Sequence, residues 1–274
     1  MRIDMSGRVE TAWEGGWVSE CAYCMIAPNP SPLTNVGTNT WIVSPPGSKG
    51  CVVVDPGPRD SGHVRRILSF CRAEEKRIAG ILLTHVHLDH APAAEELSSL
   101  TGAPVYSHAG GNVKEGKLSI PGFDMDVEVV LLFGHSSDSV GYLIEREGLF
   151  LTGDVLFAHS STMVCWPDGS LEQYLASLDV IAGLVDVGRV SRLLTGHGKT
   201  IDDPATRVAQ CRRHRLKRLR QVVSAVRSGV PAKADRIVDV IYNDVDSALL
   251  QAAERSVNAQ LRYAFDRGLL EEHT

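Results

Sequence analysis

The sequence predicts a layered α/β fold that ends in a small helical unit, and three observations predict it. Apolar runs of strand length alternate with helix-length segments up to residue 203. Several of those runs end in Gly followed at once by His or Asp. Beyond residue 203 the strand-like runs stop and helical periodicity takes over.

Residues 1–35 read as turn-rich, with Asn29-Pro30-Ser31-Pro32 as a loop. Strands are expected at 39–44 and 50–54, joined by the turn Pro45-Pro46-Gly47, and at 78–84, 103–107, 127–133, 140–145, 149–153 and 191–195. Helices are expected at 61–74, 91–101 and 170–185. Segments 204–228, 232–242 and 246–267 read as helices with no clear strand between them. In the last, Leu249, Leu250, Ala253, Val257, Leu261 and Ala264 recur on one face. The chain therefore divides into a main domain, 1–203, and a C-terminal helical domain, 204–274. No internal repeat is visible.

Composition narrows the class. A chain of 274 residues holds one large domain and a small appendage. No apolar stretch approaches the roughly 18 residues that span a membrane. The start, Met1-Arg2-Ile3-Asp4, lacks the basic stretch and apolar run of a signal peptide, which implies a cytoplasmic protein. Six cysteines are present, at 21, 24, 51, 71, 165 and 211, without the spacing of a small disulfide scaffold. Cys21 and Cys24 form a C-x-x-C pair, but no second pair follows and no thioredoxin-like strand and helix surround it.

The segment Thr84-His85-Val86-His87-Leu88-Asp89-His90 carries the chemistry. Four good metal ligands lie within six residues, in the pattern H-x-H-x-D-H, just beyond the buried apolar run 78–84. In extended chain His85 and His87 point the same way and can grip one ion together. Asp89 and His90 fall where the chain turns toward a helix and can reach a second ion. Further ligand types follow at strand ends: His135 after Gly134, Asp154 after Gly153 and His197 after Gly196. Each Gly lets the backbone bend as it leaves the sheet.

This order of His and Asp, spread over residues 36–198, resembles the metallo-β-lactamase superfamily. The resemblance implies an αββα sandwich with metals at one edge. It implies that His85, His87 and His135 hold a first metal, that Asp89, His90 and His197 hold a second, and that Asp154 bridges the two. It gives Asp55, in Val52-Val53-Val54-Asp55-Pro56-Gly57, a supporting role outside the ligand set. Two divalent ions are implied, zinc by default for this His/Asp set, with manganese or iron also suited to it. Such a pair generates a hydroxide at neutral pH and stabilises the oxyanion formed by its attack, with Asp89 placed to hold the nucleophile and shuttle its proton.

Gly37-Thr38-Asn39-Thr40-Trp41, Asp55-Pro56-Gly57, Thr195-Gly196-His197-Gly198 and the helical extension are most similar to the β-lactamase-like protein 2 group. That group includes a metal-dependent single-strand endoribonuclease and related acyl-carrier-protein thioesterases, and its C-terminal domain is winged-helix-like. One departure stands out. Relatives often carry His or Cys directly after the bridging Asp, where this chain has Val155. His159, beside Ser160, Ser161 and Thr162, is a candidate for the substrate pocket and equally readable as a solvated loop residue.

Charge is uneven. Lys and Arg number 8 against no Asp or Glu over residues 204–228, in a chain whose net charge is −5. Arg212, Arg213 and Arg215 lead a basic cluster with Lys217, Arg218 and Arg220. It suits an RNA backbone, a CoA phosphate or an acidic carrier protein, and equally a solvated face paired with the acidic main domain. Aromatic residues are only 6%, which offers no evident platform for stacking bases. The expectation is hydrolysis of an ester or thioester on a small acyl substrate, CoA- or carrier-protein-linked, with single-strand RNA cleavage as the alternative. True β-lactamase activity is not expected of a chain without an export signal.

Overall fold

The structure, a computed structural model, describes residues 13–242 and 249–271. Met1-Arg2-Ile3-Asp4 and residues 246–248 of the last expected helix lie outside the described residues. A six-stranded sheet runs in sequence order: β1 (Gly16–Trp17), β2 (Ala22–Ile26), β3 (Asn39–Val43), β4 (Gly50–Val54), β5 (Arg77–Leu82) and β6 (Val105–Tyr106). A five-stranded sheet places β11 (Arg192–Thr195), β10 (Leu149–Gly153), β9 (Val140–Ile144), β8 (Val127–Leu131) and β7 (Gly116–Leu118) side by side. The β4–β5, β5–β6 and β10–β11 pairs are parallel, and the others are antiparallel.

Alternation along the strands builds the layers. Val52 and Val54 face inward, where they join Val127, Val129, Tyr142 and Leu151 of the other sheet in one core. Cys51 and Val53 face outward onto helix α1 (Ser61–Ala73), at Val64 and Ile67, and helix α2 (Ala93–Thr101), at Leu97. On the second sheet Val130, Leu143 and Phe150 face helix α3 (Leu171–Asp186), at Tyr174 and Leu178, and helix α4 (Pro204–Arg227), at Val208 and Cys211. The result is the αββα sandwich. Central strands such as β4 and β10 are buried along their whole length, so their sequences are largely apolar.

Residues 13–35 hold more than turns. Strand β2 pairs with β3 from Ala22 to Ile26, and β1 adds a short edge. Flanking glycines and prolines masked an apolar run that contains the C-x-x-C pair. Cys21 and Cys24 are buried in the central core, and that burial pushes both thiols above their ordinary range, which suits packing rather than redox or metal chemistry. No described cysteine is in a disulfide.

Helix α4 begins at an Asp203 cap with Pro204 in its first turn. It packs with α5 (Ala234–Ile241) and α6 (Leu250–Asp266) around Leu219, Val222, Ile237, Val257 and Leu261. Leu171 and Leu175 of α3 complete this second apolar centre, so it runs across position 203. Among the described residues no helix is long and apolar enough to cross a membrane.

One buried titratable group ties α1 to the sheet. The Thr40 hydroxyl donates to the Asp55 carbonyl at 2.8 Å, so it accepts from His63 Nε2–H at 2.9 Å. This leaves His63 Nδ1 buried and without a partner, and burial lowers the imidazole to about 4. The folded value lies below the unfolded one, so the stability linked to a neutral His63 is present above about pH 6.5 and is lost as pH falls toward 4. We expect the drop in urea-unfolding stability between pH 7 and pH 5 to shrink by on the order of 1–2 kcal/mol in His63→Gln, which keeps the donor to Thr40 without a titrating nitrogen. An equal drop in both proteins would remove His63 as the acid-sensitive group.

Candidate metal centre

The site lies where the two sheets are laced together. Thr38 bridges to His197, the Asn39 backbone N–H donates to the Gly196 carbonyl at 2.8 Å, and the Asn39 side chain donates to the Thr195 and Gly198 carbonyls. On the other side the Val140 N–H donates to the Thr84 carbonyl, and the Tyr142 hydroxyl donates to the Leu83 carbonyl at 2.7 Å. Four chain segments arrive at this seam: 85–90 after β5, 134–135 beyond β8, 153–154 from β10 and 196–197 after β11.

Two of the glycines before the ligands answer to different constraints. Gly134 has φ 125°, and a Cβ there would collide with the Tyr174 backbone of α3. Gly196 is not in the left-handed region, but a Cβ there would strike the Asp154 carboxylate. The first is needed for a backbone conformation and the second for close approach.

The seven residues expected as ligands converge. His85, His87 and His135 present nitrogens within 4.8 Å of one another, and Asp89, His90, Asp154 and His197 form a second such group. Asp154 lies between them, with Oδ1 3.3 Å from His90 Nε2 and Oδ2 3.3 Å from His197 Nε2 and 3.8 Å from His135 Nε2.

Hydrogen bonds on the outer side of each ring decide what its inner side offers. A neutral imidazole donates from one nitrogen and carries a lone pair on the other. His135 Nδ1–H donates to the Met163 carbonyl at 2.8 Å, and His197 Nδ1–H to the Gly37 carbonyl at 3.2 Å. His87 Nε2–H donates to Asp168 at 2.9 Å. His90 Nδ1–H donates to Asp55 Oδ2 at 2.9 Å. Thr84 gives its own proton to Asp55 at 2.6 Å and so accepts from His85 Nδ1–H at 3.0 Å. In their neutral forms all five rings thus turn a lone pair inward.

This arrangement fits metal ions. The inward nitrogens of His87 and His135 lie 3.2 Å apart and those of His90 and His197 3.4 Å apart, in each case with no proton left to share between neutral rings. His85 Nε2 and Asp154 Oδ1 are buried with no hydrogen-bond partner. Two groups of nitrogen and carboxylate donors suit zinc and its first-row neighbours.

The electrostatics agree. Burial, helped by His90, pushes the His85 imidazole well below its ordinary value, and burial likewise lowers that of His135. Burial also works against charge on His90 and His197, yet Asp154 and Asp55 push His90 well up, and Asp154 and Asp89 raise His197 to about 9. Burial opposes ionisation of Asp89 and Asp154, but His197 and His90 hold both carboxyls well below the usual range. The carboxylates demand positive charge at this spot; protons supply it on His90 and His197, and a divalent ion competes with them for the same lone pairs.

Asp55 sits behind the ligands rather than among their inward-facing atoms. Its φ of 50° is unusual for a residue other than Gly or Asn, and its carboxylate also accepts from the Thr84 N–H at 2.8 Å. The residues named for substrate binding are more scattered. His159 is exposed, two residues beyond Phe157, whose ring lies 5.5 Å from that of His197. Arg212 is ion-paired with Asp179 of α3. Arg215 is buried, its guanidinium 5.5 Å from the centre of the Tyr174 ring. Arg213 is exposed. Sequence reasoning missed Thr84, Met163 and Asp168, which hold three of the rings. The turn-forming Pro167-Asp168-Gly169 is the only sequence signal among them, and it says nothing of a ligand.

Residues 33–111 match the family described as the metallo-beta-lactamase superfamily, and residues 234–263, from α5 into α6, match the beta-lactamase associated winged helix domain. These matches, with the fold, support a metal-dependent hydrolase of the metallo-β-lactamase superfamily. It is 24% identical over 267 residues to a beta-lactamase-like protein 2 homolog of Caenorhabditis elegans, covering 93% of this chain and 87% of the relative. It is 28% identical over 209 residues to an atrochrysone carboxyl ACP thioesterase of Aspergillus fumigatus, covering 73% of this chain and 63% of that protein. In fold it is similar to a beta-lactamase domain protein from Burkholderia ambifaria, with a TM-score of 0.76, 20% identity, and 97% and 92% of the two chains covered.

Asp154 lies between the two donor groups, which sets an outcome for its removal. We expect Asp154→Ala, loaded with zinc and desalted, to retain one ion per chain or none by elemental analysis where the parent retains two. Unchanged metal content would remove Asp154 from a bridging position.

Proposed function

We propose that the chain hydrolyses an ester or thioester of a small acyl substrate at a two-ion site. In this reading His85, His87 and His135 hold one ion, Asp89, His90 and His197 the other, and Asp154 both. Five inward-facing imidazole lone pairs around a shared carboxylate carry the reading. When bound, the ion pair acidifies a water toward neutrality and stabilises the oxyanion that develops on the substrate carbonyl. Asp55 keeps His85 and His90 in the tautomers that leave their inner nitrogens bare.

Asp89 is the most open of the second group, with 30% of its side chain exposed against 9% or less for His90, Asp154 and His197. It borders the side from which substrate and water arrive. Its depressed carboxyl stays ionised and accepts the proton of the attacking water only in passing. Water oxygen bonds to the acyl carbon, the bond from carbon to sulfur or oxygen breaks, and that proton passes to the departing thiol or alcohol.

The thioester reading draws support from the relative named as an acyl-carrier-protein thioesterase. Zinc is the metal we assign, the division of the chain at 203/204 belongs to the same reading, and a cytoplasmic setting accords with it. Single-strand RNA cleavage is the second reading, favoured by Arg213, Lys217 and Arg220, which are exposed at spacings that share one face of α4. Against it, Arg212 and Arg215 of the same helix are engaged within the protein, and the Arg218 guanidinium lies 4.6 Å from the centre of the Tyr242 ring.

The zinc- or manganese-loaded protein, assayed beside Asp89→Ala on an acyl-thioester and on a fluorogenic single-stranded RNA, separates the two. We expect thioester cleavage that falls by a factor of about 10² or more in the variant, with weak dependence on salt. RNA cleavage lost in the variant and falling steeply with salt, without thioester turnover, would overturn the acyl reading in favour of the nuclease.

A further inference from the structure

The strap from Met163 to Ser170, between the Asp154 loop and α3, touches the metal centre twice. At one end the Met163 carbonyl accepts from His135. At the other, Asp168 Oδ2 accepts from His87 Nε2–H at 2.9 Å, while its Oδ1 accepts from the Ser137 backbone N–H at 3.0 Å and the Ser137 hydroxyl at 2.7 Å. The middle of the strap is pinned elsewhere. The Trp166 N–H donates to the Arg255 carbonyl of α6 at 3.2 Å, and the Cys165 thiol to the Ala252 carbonyl at 3.7 Å. Gly169 N–H closes the turn onto the Cys165 carbonyl at 2.7 Å, and Ser170 N–H donates to the Gly134 carbonyl, next to His135.

His87 needs such a hold more than the other four rings do. Its side chain is 38% exposed, whereas those of His85, His90, His135 and His197 are buried or nearly so and are fixed by packing. An exposed imidazole on a loop is free to rotate about its side-chain torsions and to exchange tautomers. An outer carboxylate removes both freedoms, because it accepts only from a protonated Nε2 and so leaves Nδ1 bare.

We propose that Asp168 is a positioning residue for the first ion: from a strap anchored on the C-terminal helix α6, it sets the tautomer and orientation of His87. This rests on the two-ion reading above. It also gives the helical unit a place in the metal centre, since α6 fixes the strap that carries both Met163 and Asp168. The geometry assigns Ser137 the task of holding Asp168 in turn.

The test uses the full-length protein. In Asp168→Asn the side chain keeps its shape but loses its charge. An amide oriented to satisfy Ser137 points its NH2 group at His87 Nε2, which favours the tautomer with a proton on the inward Nδ1. Competition with a chromophoric zinc chelator should show one of two ions bound about 10- to 100-fold more weakly and the other unchanged. Long-range 1H–15N spectra should show His87 as the Nε2–H tautomer in the zinc-loaded parent and a loss of that signature in the variant. Ser137→Ala, which leaves the carboxylate in place, should weaken the same ion by less. Far-UV circular dichroism and the unfolding midpoint of the metal-free protein should match the parent, because Asp168 is half-exposed.

Two ions in the parent, held as tightly in Asp168→Asn with the His87 signature intact, would overturn the positioning role and leave the hydrolase reading standing. A parent that holds fewer than two ions would instead overturn the two-ion reading, and the inference with it.

Discussion

The metal centre depends on one carboxylate that does not point into it. Asp55 accepts from Thr84 twice, at backbone and hydroxyl, and from His90, and through Thr84 it settles the proton on His85. Two candidate ligands on one short loop thus receive their tautomers from a single anion at the end of β4. Buried and fully bonded, that anion is a firm reference point; with one partner removed it would become a buried charge short of a bond. The left-handed backbone at Asp55 is the strain accepted for the placement, and the Thr40 hydroxyl on its carbonyl, backed by His63, helps hold it.

Around that anchor the fold works as a frame for four loops. The sheets meet at one edge through Thr38, Asn39 and the 196–198 turn, and at the same edge β9 is tied to the residues that follow β5. The seam is polar because the His and Asp side chains of the candidate site leave both sheets there, whereas the centre between the sheets is apolar. The Gly37-Thr38-Asn39 segment serves this seam directly, since its carbonyl at Gly37 orients His197.

Much of this was legible in the chain. Strands buried on both faces have apolar runs and helices have periodic faces, so most elements from residue 39 to 203 were readable to within a few residues; the short, half-exposed edge strand β7 (Gly116–Leu118) was not. The candidate ligands also stand out, because few other tasks place His and Asp at H-x-H-x-D-H, and the fold brings them together. What stayed hidden was of two kinds. Strand β2 lay in a stretch whose glycines and prolines read as turns. Asp168 and Met163 act from a loop far along the sequence, where neither residue type nor spacing marks them. Arg212 and Arg215 show the reverse: charge suggested a ligand surface, and an ion pair with α3 and a ring contact absorbed it.

Helix α3 serves two apolar centres at once. Tyr174, Leu178 and Ile181 pack under the second sheet, while Leu171 and Leu175 pack with α4, α5 and α6. Helix α4 divides in the same way, with Val208 and Cys211 on one side and Leu219 and Val222 on the other. The division at residue 203 follows the change in sequence character, and apolar contacts between α3 and helices α4, α5 and α6 cross it. The helical end and the sandwich therefore lean on the same two helices, so heat that loosens α6 also strips cover from α3.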